Sequence, residues 1–230
     1  KEKMTEDCNV LSLGLLAETL CQPGGYEPQQ LRCLSREGPD PVSSLIESIL
    51  SSDEGRMKKE LSGLADCLSG QISVAAWFNL GRLAASLFFR RAAEEYFENS
   101  ARLARSQGDA EAQSQAWNCI GLLYSDDENW DCACRFYDLA LQALADGKSP
   151  HLMCTILTNL GRAARHQGDL SRSEQCYSRA LHQLSPDDRP GRAAALYSLG
   201  ELCQIRCDYF HAEEFYQKSL SERERSRDRK

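Results

Sequence analysis

Apolar residues recur along most of this chain with the spacing of amphipathic helices, and two landmarks are repeated four times. The first landmark is a large residue followed three and four positions later by an aliphatic residue and a glycine, as in Trp117, Ile120 and Gly121. Its glycines are Gly81, Gly121, Gly161 and Gly200, which gives a period of 39 to 40 residues. These spacings put the landmark on one helical face, where the glycine lets a neighbouring helix approach closely.

The second landmark is a small residue, an aromatic residue four positions later and another small residue three positions after that, as in Ala133, Tyr137 and Ala140. The same pattern starts at Ala93, Ser173 and Ala212. The aromatic residue lies one turn along the same face, where it fills the space between repeats. Two landmarks that keep their register four times predict four helix-turn-helix repeats, each of which needs the next one to bury its stripe.

Turn residues separate the predicted helices. In the third repeat Gly168 suits a left-handed helix end, and Asp169 suits the N-cap of the next helix. Similar turn residues lie at 126–130 and 206–209. The stretches 106–109, 146–150 and 185–190 contain glycine or proline and are predicted to separate one repeat from the next.

The first 72 residues lack both landmarks but have helical patterning. An apolar stretch ends at Leu20, a short segment covers residues 29–34, Pro41 suits the first turn of another helix, and a fourth helix is predicted around Leu61. Because the end of a repeat array needs a cap, we interpret these helices as capping helices. The alternative is that Cys8 to Leu20 docks on the concave surface of the repeats or on a partner.

The charge of the chain narrows the classes of partner that we expect. The formal net charge is -7, which disfavours nucleic acid as a partner because nucleic-acid binders concentrate Lys and Arg on one face. Charges of mixed sign at 222–230 predict a solvated helix end or tail. No run approaches the roughly 20 apolar residues of a membrane span, and the first residues lack the pattern of a secretory signal. We therefore expect an intracellular protein, cytoplasmic or nuclear, that does not contact a membrane.

Reactive side chains do not form a recognisable catalytic or metal site. The 11 cysteines are spread along the chain and lie mostly at helical core positions, so they are interpreted as reduced, buried thiols. Cys203 and Cys207 lie one turn apart where the predicted core runs, and the four histidines have no second ligand at a metal spacing. Phosphate-binding loops and the nucleophile elbow are absent. We expect no enzyme activity, no metal and no cofactor.

The two landmarks resemble the signature of the tetratricopeptide repeat (TPR) superfamily, W-x2-L-G-x2-Y followed by A-x3-F-x2-A. The second repeat is most similar, with Trp117, Ile120, Gly121, Tyr124, Ala133, Tyr137 and Ala140. The period is similar to that of the long-repeat branch found in kinesin light chain and LGN-type adaptors. The resemblance implies an all-α, right-handed helical solenoid, with repeats at about 73–112, 113–152, 153–191 and 192–222, N-terminal capping helices at 1–72 and a charged tail at 223–230.

In this family the first helix of each repeat lines a concave groove that binds peptides. Carried over by register, the peptide-binding residues are Phe78, Asn79, Arg82, Asn118, Leu122, Thr158, Asn159, Arg162, Arg165, His166, Tyr197 and Gln204. Asparagine holds a peptide backbone through donors and an acceptor, and arginine binds carboxylates. An acidic segment is therefore the predicted ligand, unless Arg162 and Arg165 pair with neighbours such as Glu201 or Asp126.

The predicted function is a non-catalytic scaffold or adaptor that binds a segment of another protein and assembles a complex. One alternative is an RNA-binding helical repeat, which the net charge disfavours. The other is the non-catalytic segment of a larger enzyme or motor, because the chain begins at Lys1 before its first Met and stops in a charged segment. The oligomeric state stays open, since the last helix could pack on more repeats, a second copy or a partner.

Overall fold

The computed structural model describes residues 14–20, 40–69, 73–144 and 149–227, and these residues form helices joined by short turns, with no strand among them. The helices are α1 (Asp40–Leu50), α2 (Glu54–Ser69), α3 (Val74–Ser86), α4 (Arg90–Gln107), α5 (Ala110–Asp126), α6 (Trp130–Ala143), α7 (Pro150–His166), α8 (Leu170–Gln183), α9 (Arg189–Ile205) and α10 (Tyr209–Arg227). A short helical segment covers residues 14–20. The segment predicted at 29–34 and the last three residues of the tail lie outside the described residues.

Helices α3 to α10 form the four predicted helix pairs. In each pair the first helix, here called the A helix, carries the glycine landmark, and the second, the B helix, carries the aromatic landmark. The chain divides into two compact units, Lys1–Ala116 and Trp117–Lys230. The all-α helical repeat predicted from the sequence is therefore confirmed.

Each glycine of the A helix lies against the aromatic ring of its own B helix. A Cβ atom added at Gly161 would lie 2.7 Å from Cε1 of Tyr177, and one added at Gly200 would lie 2.6 Å from Cε1 of Tyr216. The same contact joins Gly81 to Phe97 and Gly121 to Tyr137. The glycine is thus required by the close approach of the two helices within one repeat.

In the C-terminal unit the aromatic residue of one repeat is also covered by the next repeat. Tyr137 belongs to a core cluster with Ile156 and Leu160 of α7. Tyr177 belongs to a second cluster with Leu199 and Leu202 of α9. Within this unit each repeat therefore completes the core of the repeat before it, as expected for a stacked helical array.

The turn between A and B helices has one left-handed residue in every repeat. Gly168 has a φ of +85°, and Asp169 caps α8 by accepting a hydrogen bond from the Arg172 amide at 2.9 Å, as predicted. The equivalent positions in the other repeats hold Phe88, Glu128 and Cys207, which also have positive φ values. Cys207 is exposed in this turn, so its predicted place in the core was wrong.

In the N-terminal unit α1 begins at Asp40 as predicted, α1 packs on α2, and α2 packs on α3. The helical segment at 14–20 buries Leu16 completely. A Cβ added at Gly14 would lie 3.3 Å from Nδ2 of Asn79 on α3. Asn79 occupies the repeat position of Asn159, a residue that faces the preceding helix pair in its own unit. This placement favours the capping interpretation, which stays a prediction.

Candidate peptide-binding surface

Two predicted groove residues on consecutive A helices of the C-terminal unit lie in direct contact. The Nδ2 atom of Asn159 on α7 donates a hydrogen bond to Oδ1 of Asn118 on α5 at 3.0 Å. This bond fixes both carboxamides and uses one donor and one acceptor. The amide nitrogen of Asn118 and the carbonyl oxygen of Asn159 are not used by it, so the pair keeps one donor group, on a side chain that is only 7% exposed, and one acceptor, on the half-buried Asn159.

Arg162 lies three residues after Asn159 on α7 and is exposed. Its guanidinium lies near the Tyr137 hydroxyl, which also shares a 2.9 Å hydrogen bond with Oγ of Ser125. Burial raises the pKa of Tyr137, and the Ser125 bond and the Arg162 charge act in the opposite direction. The phenol is therefore neutral at neutral pH. Within the described part of the chain no carboxylate forms an ion pair with Arg162.

Arg165 lies one turn further along α7, and its charge is compensated. Its Nη1 atom forms an ion pair with Oε2 of Glu201 on α9 at 3.1 Å. Both side chains are partly buried, with exposed fractions of 22% and 32%. The sequence left pairing with Glu201 open as the alternative to peptide binding by Arg165. The ion pair lowers the capacity of Arg165 to attract an acidic ligand.

Two other predicted groove residues of this unit, Thr158 and His166, take part in a local hydrogen bond or in ring stacking. The Thr158 hydroxyl donates to the Cys154 carbonyl of its own helix at 2.9 Å. The His166 ring stacks on Trp130 of α6, with the ring centroids 4.1 Å apart. Leu122 on α5 is half-buried.

The last two predicted residues of the C-terminal unit lie on α9 and contact the final B helix. The Tyr216 hydroxyl donates a hydrogen bond to Oε1 of Gln204 at 2.8 Å. The ring centroids of Tyr197 and Tyr216 are 5.4 Å apart, and the guanidinium of Arg223 lies 5.9 Å from the Tyr197 ring. Tyr197 is nevertheless 45% exposed, which leaves part of its ring available for a ligand.

The three predicted groove residues of the N-terminal unit lie on α3. The Phe78 ring lies 5.5 Å from the Phe97 ring of α4, and Asn79 faces Gly14 as described above. Arg82 is half-buried. Two of the three residues therefore contact other elements of their own unit, which makes α3 a weaker candidate than α7 for binding an extended ligand.

Three cysteine thiols of the C-terminal unit, those of Cys134, Cys154 and Cys176, are buried and form no disulfide. Burial raises the pKa of Cys134 and Cys154, and it raises that of Cys176 to about 11. These thiols stay protonated at neutral pH and act as small apolar core residues. Among the described residues no group of three or more His, Cys, Asp or Glu side chains is arranged to hold a metal ion, and no described helix has the length and apolarity to cross a membrane.

The hydrogen bond between the two asparagines and the role of Tyr216 and Arg223 were not predicted. Asn118 and Asn159 are 41 residues apart, one residue more than the period at that point. The two asparagines thus occupy different repeat positions, and the repeat pattern does not predict their contact. Arg223 falls in the segment predicted as a charged tail, whereas α10 continues as a helix to Arg227.

Comparison with known proteins agrees with the repeat pattern. A family model described as tetratricopeptide repeat matches residues 152–225. No curated protein sequence matches the chain. The family model therefore confirms the predicted resemblance to tetratricopeptide repeat proteins over the last two helix pairs.

Three solved structures illustrate the fold. BtubC (BKLC) from P. vanneervenii is 17% identical, with a TM-score of 0.63 over 97% of this chain and 92% of that chain. A Podosopora anserina putative kinesin light chain with nearly identical TPR-like repeats is 12% identical, with a TM-score of 0.59 over 87% of this chain and 98% of that chain. MamA is 14% identical, with a TM-score of 0.59 over 80% and 96%. At these identities the likeness shows the fold alone.

Proposed function

From the tetratricopeptide repeat match over residues 152–225, we propose that this chain is a non-catalytic scaffold that binds an extended, acidic segment of another protein and so assembles a complex. The helical repeat fold supports the general role, because stacked helical repeats form extended binding surfaces. The acidic ligand, its site on the A helices of the C-terminal unit and an intracellular location, cytoplasmic or nuclear, are the specific parts of the proposal.

The hydrogen bond between Asn118 and Asn159 is the observation that carries the proposal. Each peptide group of an extended segment offers one N–H donor and one carbonyl acceptor. The asparagine pair keeps one acceptor and one donor group outside its own bond, which is the complementary set. Because the bond already holds both side chains, little further side-chain entropy is lost when a peptide binds.

Arg162 supplies the preference for acidic side chains. It is exposed, it follows Asn159 by one helical turn, and the nearby Tyr137 is a neutral phenol. A guanidinium in this position can form charge-assisted hydrogen bonds with a carboxylate of the ligand. Arg165 contributes less, because Glu201 compensates its charge.

The test is fluorescence anisotropy with labelled ten-residue peptides that are rich in Asp and Glu, uncharged, or rich in Lys. The wild-type chain should bind the acidic peptide most tightly, and Arg162→Glu should weaken that binding about tenfold or more, because a hydrogen bond to a charged group contributes roughly 1.5 to 3 kcal/mol. The control is Arg179→Glu, which makes the same charge change at an exposed position of the B helix α8 and should leave binding unchanged.

A second variant separates backbone recognition from charge. Asn159→Ala should weaken binding of the acidic and uncharged peptides by the same factor, because it removes contacts to the peptide backbone. The proposal fails if the acidic peptide has no advantage over the basic one, or if Arg162→Glu and Arg179→Glu bind it equally well. Circular dichroism of each variant confirms that the helices are retained.

A further inference from the structure

Helix α10 presents a row of side chains on one face, at the side of the last repeat that no described helix covers. Tyr209 is 66% exposed and Leu220 is 56% exposed, with the half-buried Tyr216 between them. Spacings of seven and four residues keep these three on one face. We call this face the end surface, and it comprises Tyr209, Ala212, Glu213, Tyr216, Gln217, Leu220 and Arg223.

The preceding repeat shows what such a face is built to contact. The residues of α8 at the same repeat positions as Tyr209, Tyr216 and Leu220 are Leu170, Tyr177 and Leu181. These three pack together with leucines of α9 and with Phe215 of α10. Tyr177 is only 2% exposed as a result. The end surface thus has the residue pattern of a helix-helix contact.

Two shallow grooves run along the end surface on either side of the Tyr216 ring, each with a volume of about 400 Å³. Both are lined by Gln204, Tyr216 and Leu220. The first extends to Arg223 and the second to Glu213. A helix that packs along α10 can therefore place large side chains on both sides of Tyr216.

We propose that a second copy of this chain covers the end surface, with the two α10 helices packed antiparallel about a two-fold axis at Tyr216. Such a contact is isologous, so each residue must meet its counterpart on the opposite side of the axis. Helical spacing then sets Leu220 of one copy over position 212 of the other. Ala212 is only 4% exposed and lines the floor of the groove beside Tyr216, so its small side chain leaves room there for Leu220.

The charges of the end surface select the antiparallel direction. Glu213 lies in the N-terminal half of the row and Arg223 in the C-terminal half. Antiparallel packing brings Arg223 of one copy to the Tyr209 ring and the Glu213 carboxylate of the other. A cation over an aromatic ring and an ion pair are both favourable there. Parallel packing would instead bring equal charges together at both ends.

Because the contact involves essentially one helix face, we expect an association weaker than that of a standard interface of roughly 800 Å² per partner, with a dissociation constant in the micromolar range. Sedimentation equilibrium of the full chain at roughly 1 to 100 µM measures it. Leu220→Glu should raise the dissociation constant at least tenfold. Leu139→Glu, at a leucine on α6 that is 40% exposed, is the matched control and should not change it.

Charge reversal tests the direction of packing. Glu213→Arg and Arg223→Glu should each raise the dissociation constant several-fold. The double variant should restore part of the affinity, because the exchanged charges again face each other across the axis while the contact of Arg223 with the Tyr209 ring stays lost. A wild-type chain that stays monomeric at 100 µM overturns the proposal and assigns the end surface to a different protein or a further repeat. Dimerisation that survives Leu220→Glu, or a double variant weaker than both single ones, overturns it equally.

Discussion

Gly161→Ala isolates the contribution of the close contact between the two helices of a repeat. The added Cβ would lie 2.7 Å from Cε1 of Tyr177, closer than carbon atoms pack, and Tyr177 is 2% exposed, so its ring has nowhere to move. Overpacking of this kind destabilises by about 1 to 3 kcal/mol. The greater helix propensity of alanine offsets up to about 1 kcal/mol of that. The net loss in the free energy of unfolding should be up to about 2 kcal/mol.

The matched control is Gly63→Ala in α2. An added Cβ at Gly63 meets no atom within 4 Å, and the residue is exposed. This variant should therefore show only the propensity gain and become more stable by about 0.5 to 1 kcal/mol. The difference between the two variants is the cost of the overlap, expected to be about 1 to 3 kcal/mol.

Urea unfolding followed by far-UV circular dichroism and by tryptophan fluorescence measures both variants. Gly200→Ala is an intermediate case. Its added Cβ would lie as close to the Tyr216 ring as that of Gly161→Ala lies to Tyr177, but the Tyr216 ring is only half-buried and can shift towards solvent. Its loss should be smaller than that of Gly161→Ala. The reasoning is refuted if the stability of Gly161→Ala differs from that of Gly63→Ala by less than about 0.5 kcal/mol.

Three further predictions concern single side chains. Phe88→Gly should raise the free energy of unfolding by about 1 kcal/mol, because Phe88 has a φ of +61° and is 93% exposed. Phe88→Ala keeps the Cβ atom and should not raise it. Equal melting temperatures of the two variants would contradict this prediction. Ser173→Ala should lower the free energy of unfolding by about 0.5 to 1.5 kcal/mol, because the buried Ser173 hydroxyl donates a hydrogen bond to the Gly161 carbonyl at 2.7 Å. Thermal denaturation measures the change, and an unchanged melting temperature would argue against this prediction. Burial raises the pKa of Cys176 from 9.0 to about 11, so its thiol supports the folded state fully below pH 9 and progressively less as pH rises towards 11. Urea unfolding at pH 8 and 10 should show a smaller loss of stability for Cys176→Ala than for the wild type.

The helix pairs were predictable because the same local chemistry occurs four times. The glycine and aromatic landmarks repeat with every pair, and the contact of each glycine with its aromatic ring lies within one repeat. Asp169 and Gly168 likewise indicate a turn through their own conformational preferences. Phe88 carries no such signal, since a bulky residue disfavours positive φ. Its conformation is imposed by the helices on either side.

The surface of the A helices was less predictable because the repeats differ there. The position of Asn118 holds Phe78, Thr158 and Tyr197 in the other repeats, so no repeated pattern indicates a partner. The Asn118–Asn159 bond and the Arg165–Glu201 ion pair each join side chains from different helices. Which of these side chains contact one another depends on the stagger of the helices, and the sequence alone does not give that stagger.

The glycine-ring contact has a consequence for how such a chain can evolve. Because the ring belongs to the same repeat as the glycine, a whole helix pair can be duplicated or deleted without separating the two. Contacts across junctions are different, since Asp138 binds Arg172 at one junction and Glu174 binds Arg206 at the next. A helix pair moved to another place in the array would therefore keep its internal packing but lose its ion-pair partners in the neighbouring repeats. The ion pairs at the repeat junctions therefore depend on the order of the repeats.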